Sequence, residues 1–235
     1  MLITPESLRT DWDRLEDIEK ATLRLVVQAV YDFRNDAVEI FKHESDLVGD
    51  IGEDLTREAL DRMGMSKINQ RLFGKMDYKK ARYLFQADYA IKQALFVDSK
   101  AEKEGGERTA TLQMSQTSMA IRQIRAGENV VCQGELPCVI ENKYLTTTVF
   151  VKYSYSEDNL RKELRKIIVA ALPNGFLQEK YNPNCSDTIF LAGRNAPSRG
   201  EAFRVRLSFP KLQSKTKWRV QTIDVAETSV LQWNE

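Results

Sequence analysis

Hydrophobic positions along the first forty residues recur at helical spacing. Leu15, Ile18, Leu25, Val26, Ala29, Val30 and Phe33 fall within one arc at about 100° per residue, which predicts an amphipathic helix from residue 11 to about 42. Thr10 or Asp11 can cap it, with Asp13 and Glu16 in the first turn, where carboxylates face exposed amides. A second helix is predicted over 50–63, ended near Gly64. From residue 71 the period changes. Residues 71–78, 81–85 and 94–100 read as short strands separated by polar turns, and EKEGGER (102–108) as a turn with paired glycines. Residues 109–125 are compatible with a helix. The β-branched and aromatic run TTTVFVKYSY (146–155) predicts a strand. Residues 159–172 read as an amphipathic helix whose apolar side includes Leu160, Leu164, Ile167, Ile168 and Ala171, stopped by Pro173, Asn174 and Gly175. Residues 181–200 are loop-rich, and 203–209 and 218–225 read as two last strands.

Strands mixed with helices and no Pro- or Ser-rich linker predict one α/β (mixed α+β) domain over 1–235. Within it, 1–70 is mainly helical, 71–100 holds strands, and 141–225 holds strands, a helix and loops. Composition changes this picture little, since 42% hydrophobic and 29% charged residues are ordinary globular values. No apolar run approaches the roughly 18 residues of a membrane span, and the first residues lack a basic start before an apolar stretch. Three cysteines, Cys132, Cys138 and Cys185, form neither an even set nor a zinc spacing. Reduced thiols and a cytoplasmic location are the expectation.

Charge adds a direction. The net charge is +1, but residues 1–70 carry −7, 71–140 carry +3, 141–220 carry +8 and 221–235 carry −3. A basic carboxy-terminal half on a neutral protein suggests a local anionic partner, or a set of solvated cations.

The single imidazole, His43, excludes His-rich zinc sites and leaves a Ser-His-Asp or Cys-His site no other histidine to use. There is no G-x-x-x-x-G-K-[ST] and no G-x-G-x-x-G. Carboxylates, lysines and a recruited divalent ion remain. The candidate is GKMDYKK with Asp77, followed by LFVDSK with Asp98 and Lys100. On a strand Asp98 and Lys100 point to the same face. Leu95, Phe96 and Val97 before them are the unbroken run of a strand covered on both sides. If the strand bearing Asp77 pairs nearby, two carboxylates and one lysine converge. Two carboxylates can hold Mg²⁺ through oxygen while leaving room for waters and a phosphate. The ion would polarise the phosphate and acidify a water, and Lys100 would orient that water and offset growing charge. The alternative is a strand-end ion pair between Asp98 and Lys100. Glu53, on the second predicted helix, is either a plain first-turn acid or an aid to the metal site.

A likeness covers most of the chain in one order. Its blocks are RLEDIEKATLRLVVQAV (14–30), EDLTREAL (53–60), INQRLFGKMDYKK (68–80), VDSKA (97–101), LQMSQ (112–116), KYNPN (180–184), APSRGEAFRVR (196–206) and WRVQ (218–221). On these blocks the sequence resembles the SfiI family of type II restriction endonucleases, within the PD-(D/E)xK nuclease superfamily. The resemblance implies a central mixed β-sheet flanked by helices. It implies Mg²⁺-dependent cutting of double-stranded DNA at a palindromic, interrupted, GC-rich sequence. Asp77, Asp98 and Lys100 take the catalytic roles, and Asp77, Asp98 and the Ser99 backbone carbonyl hold the metal. Met76 stands where the motif has Pro. A homodimer, or a dimer of dimers, and a cognate DNA methyltransferase follow from the class. The alternatives are a structure-specific or repair nuclease of the same fold, and a catalytically dead DNA-binding relative.

Base reading in the major groove needs forked donors, above all Arg on guanine. Residues 193–206 supply Arg194, Asn195, Arg199, Arg204 and Arg206, the last two sharing a strand face. Lys79, Lys80 and Arg82 follow Asp77 closely enough to lie near phosphates, or are ordinary exposed cations. The basic side of 159–172, with Arg161, Lys162, Arg165 and Lys166, reads as a solvated face.

Overall fold

The computed structural model describes residues 2–43, 48–64, 81–106, 108–158, 161–193, 205–226 and 228–235, with side chains of the third helix described from residue 51. Three helices come first: α1 (Trp12–Asp32), α2 (Arg34–His43) and α3 (Val48–Arg62). Seven strands follow: β1 (Ala81–Gln86), β2 (Ile91–Lys103), β3 (Thr109–Leu112), β4 (Ile121–Arg125), β5 (Glu128–Cys132), β6 (Val139–Ile140) and β7 (Tyr144–Asp158). Then come β8 (Arg161–Leu172), the short α4 (Gln178–Tyr181), β9 (Phe190–Ala192), β10 (Val205–Ser208), α5 (Phe209–Lys215) and β11 (Val220–Asp224).

The helix expected over 11–42 is two helices that part at Phe33. Asp11 caps the first, its side chain accepting from the Arg14 amide at 3.3 Å. The helix expected over 50–63 is α3. The strand expected over 71–78 lies outside the described residues.

The central sheet runs β1-β2-β7-β8-β11, with β6 on the start of β7. β2 and β7 are parallel and every other pair is antiparallel, so the sheet is mixed. Leu95, Val97, Val149, Val151 and Tyr153 face α1–α3 in one buried cluster. Phe150, Ile168, Ala170 and Leu172 face the other way, onto Leu112, Val205 and Leu207 of a small sheet ordered β3-β10-β9. Asp98 and Lys100 therefore lie on a strand between a helical layer and a small sheet. Among the described residues no helix is long and apolar enough to cross a membrane.

Two readings of the chain need correction. Residues 161–172 are β8, not a helix. Their i, i+4 apolar spacing also fits a strand, since Lys162 and Leu164 are buried while Arg161, Glu163 and Arg165 are exposed. The run Ile167–Leu172 is buried throughout, as in a central strand, and it pairs with β7 from Thr148↔Leu172 to Asp158↔Arg161. Lys162 is buried, so this stretch has no uniformly solvated basic side. Residues 109–125 are likewise not one helix but β3, a single 3₁₀ turn and β4. β3 becomes a strand by pairing with β10, a partner about ninety residues away that no local pattern reveals.

Candidate active site

β2 is long because β7 supports it from Gln93 to Lys103. β1 covers its other edge only from Ile91 to Phe96. Past Phe96, none of the described strands pairs with that edge, and here Asp98 and Lys100 project on one face. Asp98 is 2% exposed. Lys100 Nζ is 3.3 Å from Asp98 Oδ1 and 3.8 Å from Glu53 Oε1. The ammonium thus stands between two carboxylates, one from the strand and one from α3.

Glu53 reaches Lys100 because α3 comes unusually near β2. Gly52 makes this possible: a Cβ there would stand 3.1 Å from the Ala101 nitrogen and 3.2 Å from the Lys100 carbonyl carbon. A buried hydroxyl chain fixes the same approach. Ser99 Oγ donates to Thr56 Oγ1 at 2.7 Å, and Thr56 Oγ1 lies 2.9 Å from the Tyr153 hydroxyl on β7. Burial pushes the Tyr153 phenol well above its usual range, and the Thr56 contact only partly opposes this, so the chain stays neutral and hydrogen-bonded. Asp98 and Lys100 alternate with Ser99 across the strand, so the acid–base pair and the helix anchor occupy opposite faces.

Asp77, Lys79, Lys80, Arg194, Asn195, Arg199 and Arg204 lie outside the described residues. Arg82 is described and is not an exposed cation. It is 3% exposed, with Nη2 3.2 Å from Asp61 Oδ1 at the end of α3. Asp61 holds the side chain at the helix end, and a phosphate contact would require it to leave Asp61. Arg206 on β10 is half-buried, and its Nη1 donates to Thr109 Oγ1 at 3.3 Å. The structure thus brings together Asp98, Ser99, Lys100 and Glu53.

Thr56, Tyr153 and Lys152 escaped the sequence reading. A signal existed for Lys152, the one charged residue in TTTVFVKYSY, on the same face as buried Phe150. None existed for Thr56, whose partners come from two distant strands.

An arrangement of oxygen donors around a lysine suits a hard divalent cation and a phosphate. Asp98 and Glu53 carry such donors beside Lys100. Among the described residues no three His, Cys, Asp or Glu side chains gather.

Comparison with known proteins supplies the family and the fold. The model of a family described as type II restriction enzyme SfiI matches residues 29–223. The type II restriction enzyme SfiI of Streptomyces fimbriatus is 34% identical, over 92% of this chain and 87% of that protein. The crystal structure of tetrameric restriction endonuclease SfiI bound to cognate DNA superposes with a TM-score of 0.78 at 32% identity, covering 94% of this chain and 88% of that one. The restriction endonuclease BglI bound to its DNA recognition sequence shares the fold, with a TM-score of 0.77 at 16% identity over 95% of both chains.

Proposed function

This chain belongs to the type II restriction enzyme SfiI family, and from that premise we propose that it hydrolyses duplex DNA at one palindromic, interrupted, GC-rich sequence, using Mg²⁺ and leaving 5′-phosphate and 3′-hydroxyl ends. The observation that carries the reading is Lys100 between Asp98 and Glu53, on a stretch of β2 whose outer edge pairs with none of the described strands.

In this reading Asp98, the Ser99 carbonyl and Asp77 hold the cation, with Glu53 as a further oxygen donor. When bound, the ion supplies Lewis-acid polarisation of the scissile phosphate. Lys100 donates to phosphate oxygen and orients the attacking water. Asp98 keeps that ammonium in place, and burial on the strand leaves its carboxylate little freedom to turn away. Arg206, with Arg194, Asn195, Arg199 and Arg204 before it, reads or positions the DNA, and Lys79 and Lys80 meet phosphates. A palindrome read by one chain twice calls for a symmetric homodimer, alone or as a dimer of dimers. A cognate methyltransferase would protect the host's own copies of the sequence.

The test is a digest of a large, fully sequenced DNA with purified protein and Mg²⁺, beside a tube with EDTA. Discrete fragments whose ends share one palindrome, absent with EDTA, are the expected result. Unpatterned ends, cutting confined to junctions, or tight binding without cleavage would each overturn the reading.

Glu53→Gln sharpens the assignment of α3. It keeps size and hydrogen bonding but removes the charge facing Lys100. Cleavage is expected to slow by about 10- to 100-fold, as for other groups that orient metal ligands, with a higher Mg²⁺ concentration needed for half-maximal rate. A wild-type Mg²⁺ titration would show that Glu53 is only a first-turn acid.

A further inference from the structure

The turn after β2, at Gly105 and Gly106, carries a buried cation beneath it. Lys152, in the middle of β7, is 1% exposed. Its Nζ lies 2.6 Å from Glu102 Oε2, 2.6 Å from the Gly106 carbonyl oxygen and 2.8 Å from the Thr109 carbonyl oxygen. An ammonium has three protons, and here three acceptors meet them. The two glycines allow the turn to close over it. Gly105 has φ +103°, and a Cβ on Gly106 would stand 3.2 Å from Glu102 Oε2 and 3.6 Å from Lys152 Nζ. Taking an ammonium out of water is unfavourable, and an apolar residue would fill the same space without that cost. The arrangement therefore asks for a role besides stability.

Its position supplies one. Lys152 stands opposite Lys100 in the parallel β2–β7 register, and Glu102 is two residues beyond Lys100 on the same face. The turn leads from β2 into β3, which pairs with β10. Thr109 then accepts on both oxygens: its carbonyl from Lys152, and its hydroxyl from Arg206 on β10. A continuous set of hydrogen bonds runs from the strand bearing Lys100, through Glu102, Lys152 and Thr109, to Arg206.

We propose that Lys152 is a positioning residue that locks the small sheet to the catalytic strand, so that bases read on one stand in fixed register with the phosphate cut on the other. The inference rests on the reading of Arg206 as a DNA contact. With the lock in place, Asp98 and Lys100 meet the scissile phosphate only when the small sheet is seated. Without it, the catalytic set can reach a phosphate while base contacts are incomplete. Discrimination falls more than cutting does.

Three variants test this by sequencing the ends from a Mg²⁺ digest of one fully sequenced DNA. Lys152→Met leaves Glu102 without its cation. Lys152→Met with Glu102→Leu removes both charges together, the substitution pattern that buried ion pairs tolerate best. Thr109→Val keeps the buried lysine and removes only the hydroxyl that accepts from Arg206. At enzyme amounts that cut the principal sequence equally, the share of ends at sequences one base pair different is expected to rise about tenfold in the double variant. The rise in Thr109→Val has the same direction, as expected for loss of a charge-assisted hydrogen bond against a one-base mismatch. Unchanged shares in the double variant and in Thr109→Val would overturn the proposal and leave Lys152 a support of the fold. A wild type whose ends share no sequence would overturn the endonuclease reading itself, an outcome visible before any variant is compared.

Discussion

Asp98→Asn protein is expected to fold, to bind duplex DNA, and to cut it at least about a thousandfold more slowly than the wild type. The amide has the shape of the carboxylate and still offers Lys100 an acceptor oxygen at the observed 3.3 Å. What it loses is the charge. In the proposed mechanism that charge holds a divalent ion at the scissile phosphate, a contribution of several kcal/mol to the barrier. At about 1.4 kcal/mol per factor of ten, a loss of some 4 kcal/mol gives the thousandfold. Asp98→Ala is the poorer test, because Asp98 is buried and truncation adds a void to the loss of charge. Single-turnover cleavage, gel-shift binding and a melting curve on one preparation separate chemistry from folding. A rate within tenfold of wild type would mean that Asp98 and Lys100 are a strand-end ion pair and nothing more.

That pair was legible in the sequence for a simple reason. Strand parity alone puts residues two apart on one face, and the apolar run Leu95–Val97 marks a strand buried on both sides. Glu53 could not be placed in the same way. It comes to Lys100 through the close approach at Gly52 and the hydroxyl contact of Thr56, and these depend on the docking of a helix against two strands. The error over 161–172 has the opposite origin. Arg, Lys, Glu, Leu and Ala are good helix formers, and their local preference favoured a helix. Eleven cross-strand pairings with β7 outweigh it. The six apolar residues from Ile167 to Leu172, with no polar side, were the warning that an amphipathic helix was wrong. Arg82 shows a third limit. Its place in the chain soon after Asp77, Lys79 and Lys80 suggested a phosphate contact, whereas its pairing with Asp61 is a tertiary fact.

The largest effect on stability is expected from Arg219→Met. Arg219 and Glu19 both have fully buried side chains, with Nη2 2.6 Å from Glu19 Oε2 and 3.2 Å from Glu16 Oε1. Nε donates to the Tyr181 hydroxyl at 2.6 Å, and the guanidinium lies 4.4 Å from the ring centres of both Tyr181 and Trp218. Glu19 also accepts from the Asn174 amide at 2.8 Å, so it is held from β8's end as well as from the arginine. α1 is thereby bonded to the segment leading into β11. Removing one partner of a buried pair leaves the other charge uncompensated, at about 3–5 kcal/mol. Against a total of roughly 5–15 kcal/mol this is a large share. At about 2–4 °C per kcal/mol for a chain of this size, the melting temperature should fall by about 10 °C.

Dependence on pH identifies the cause. Burial pushes the Glu19 carboxyl above its usual range even with Arg219 beside it. Without that cation the folded-state value rises further. A raised group stabilises the fold below its unfolded pKa, about 4.3, and that contribution is lost as pH rises through the folded value. Glu16 is the opposite case. Burial raises it, but hydrogen bonds from Lys180 and Tyr181 and the charge of Arg219 outweigh burial and hold it low. Its stabilisation is present above the unfolded value and is lost on acidification. The wild type has more of it to lose than a variant without Arg219. Both effects work in one direction but in different ranges: Glu19 should narrow the gap between wild type and variant as pH falls from neutral toward about 4.3, and Glu16 should narrow it further below that value. Melting curves across that range measure it. A gap that stays constant would assign the loss to packing against Tyr181 and Trp218, and a gap that widens on acidification would contradict a charged Glu19–Arg219 pair in the core.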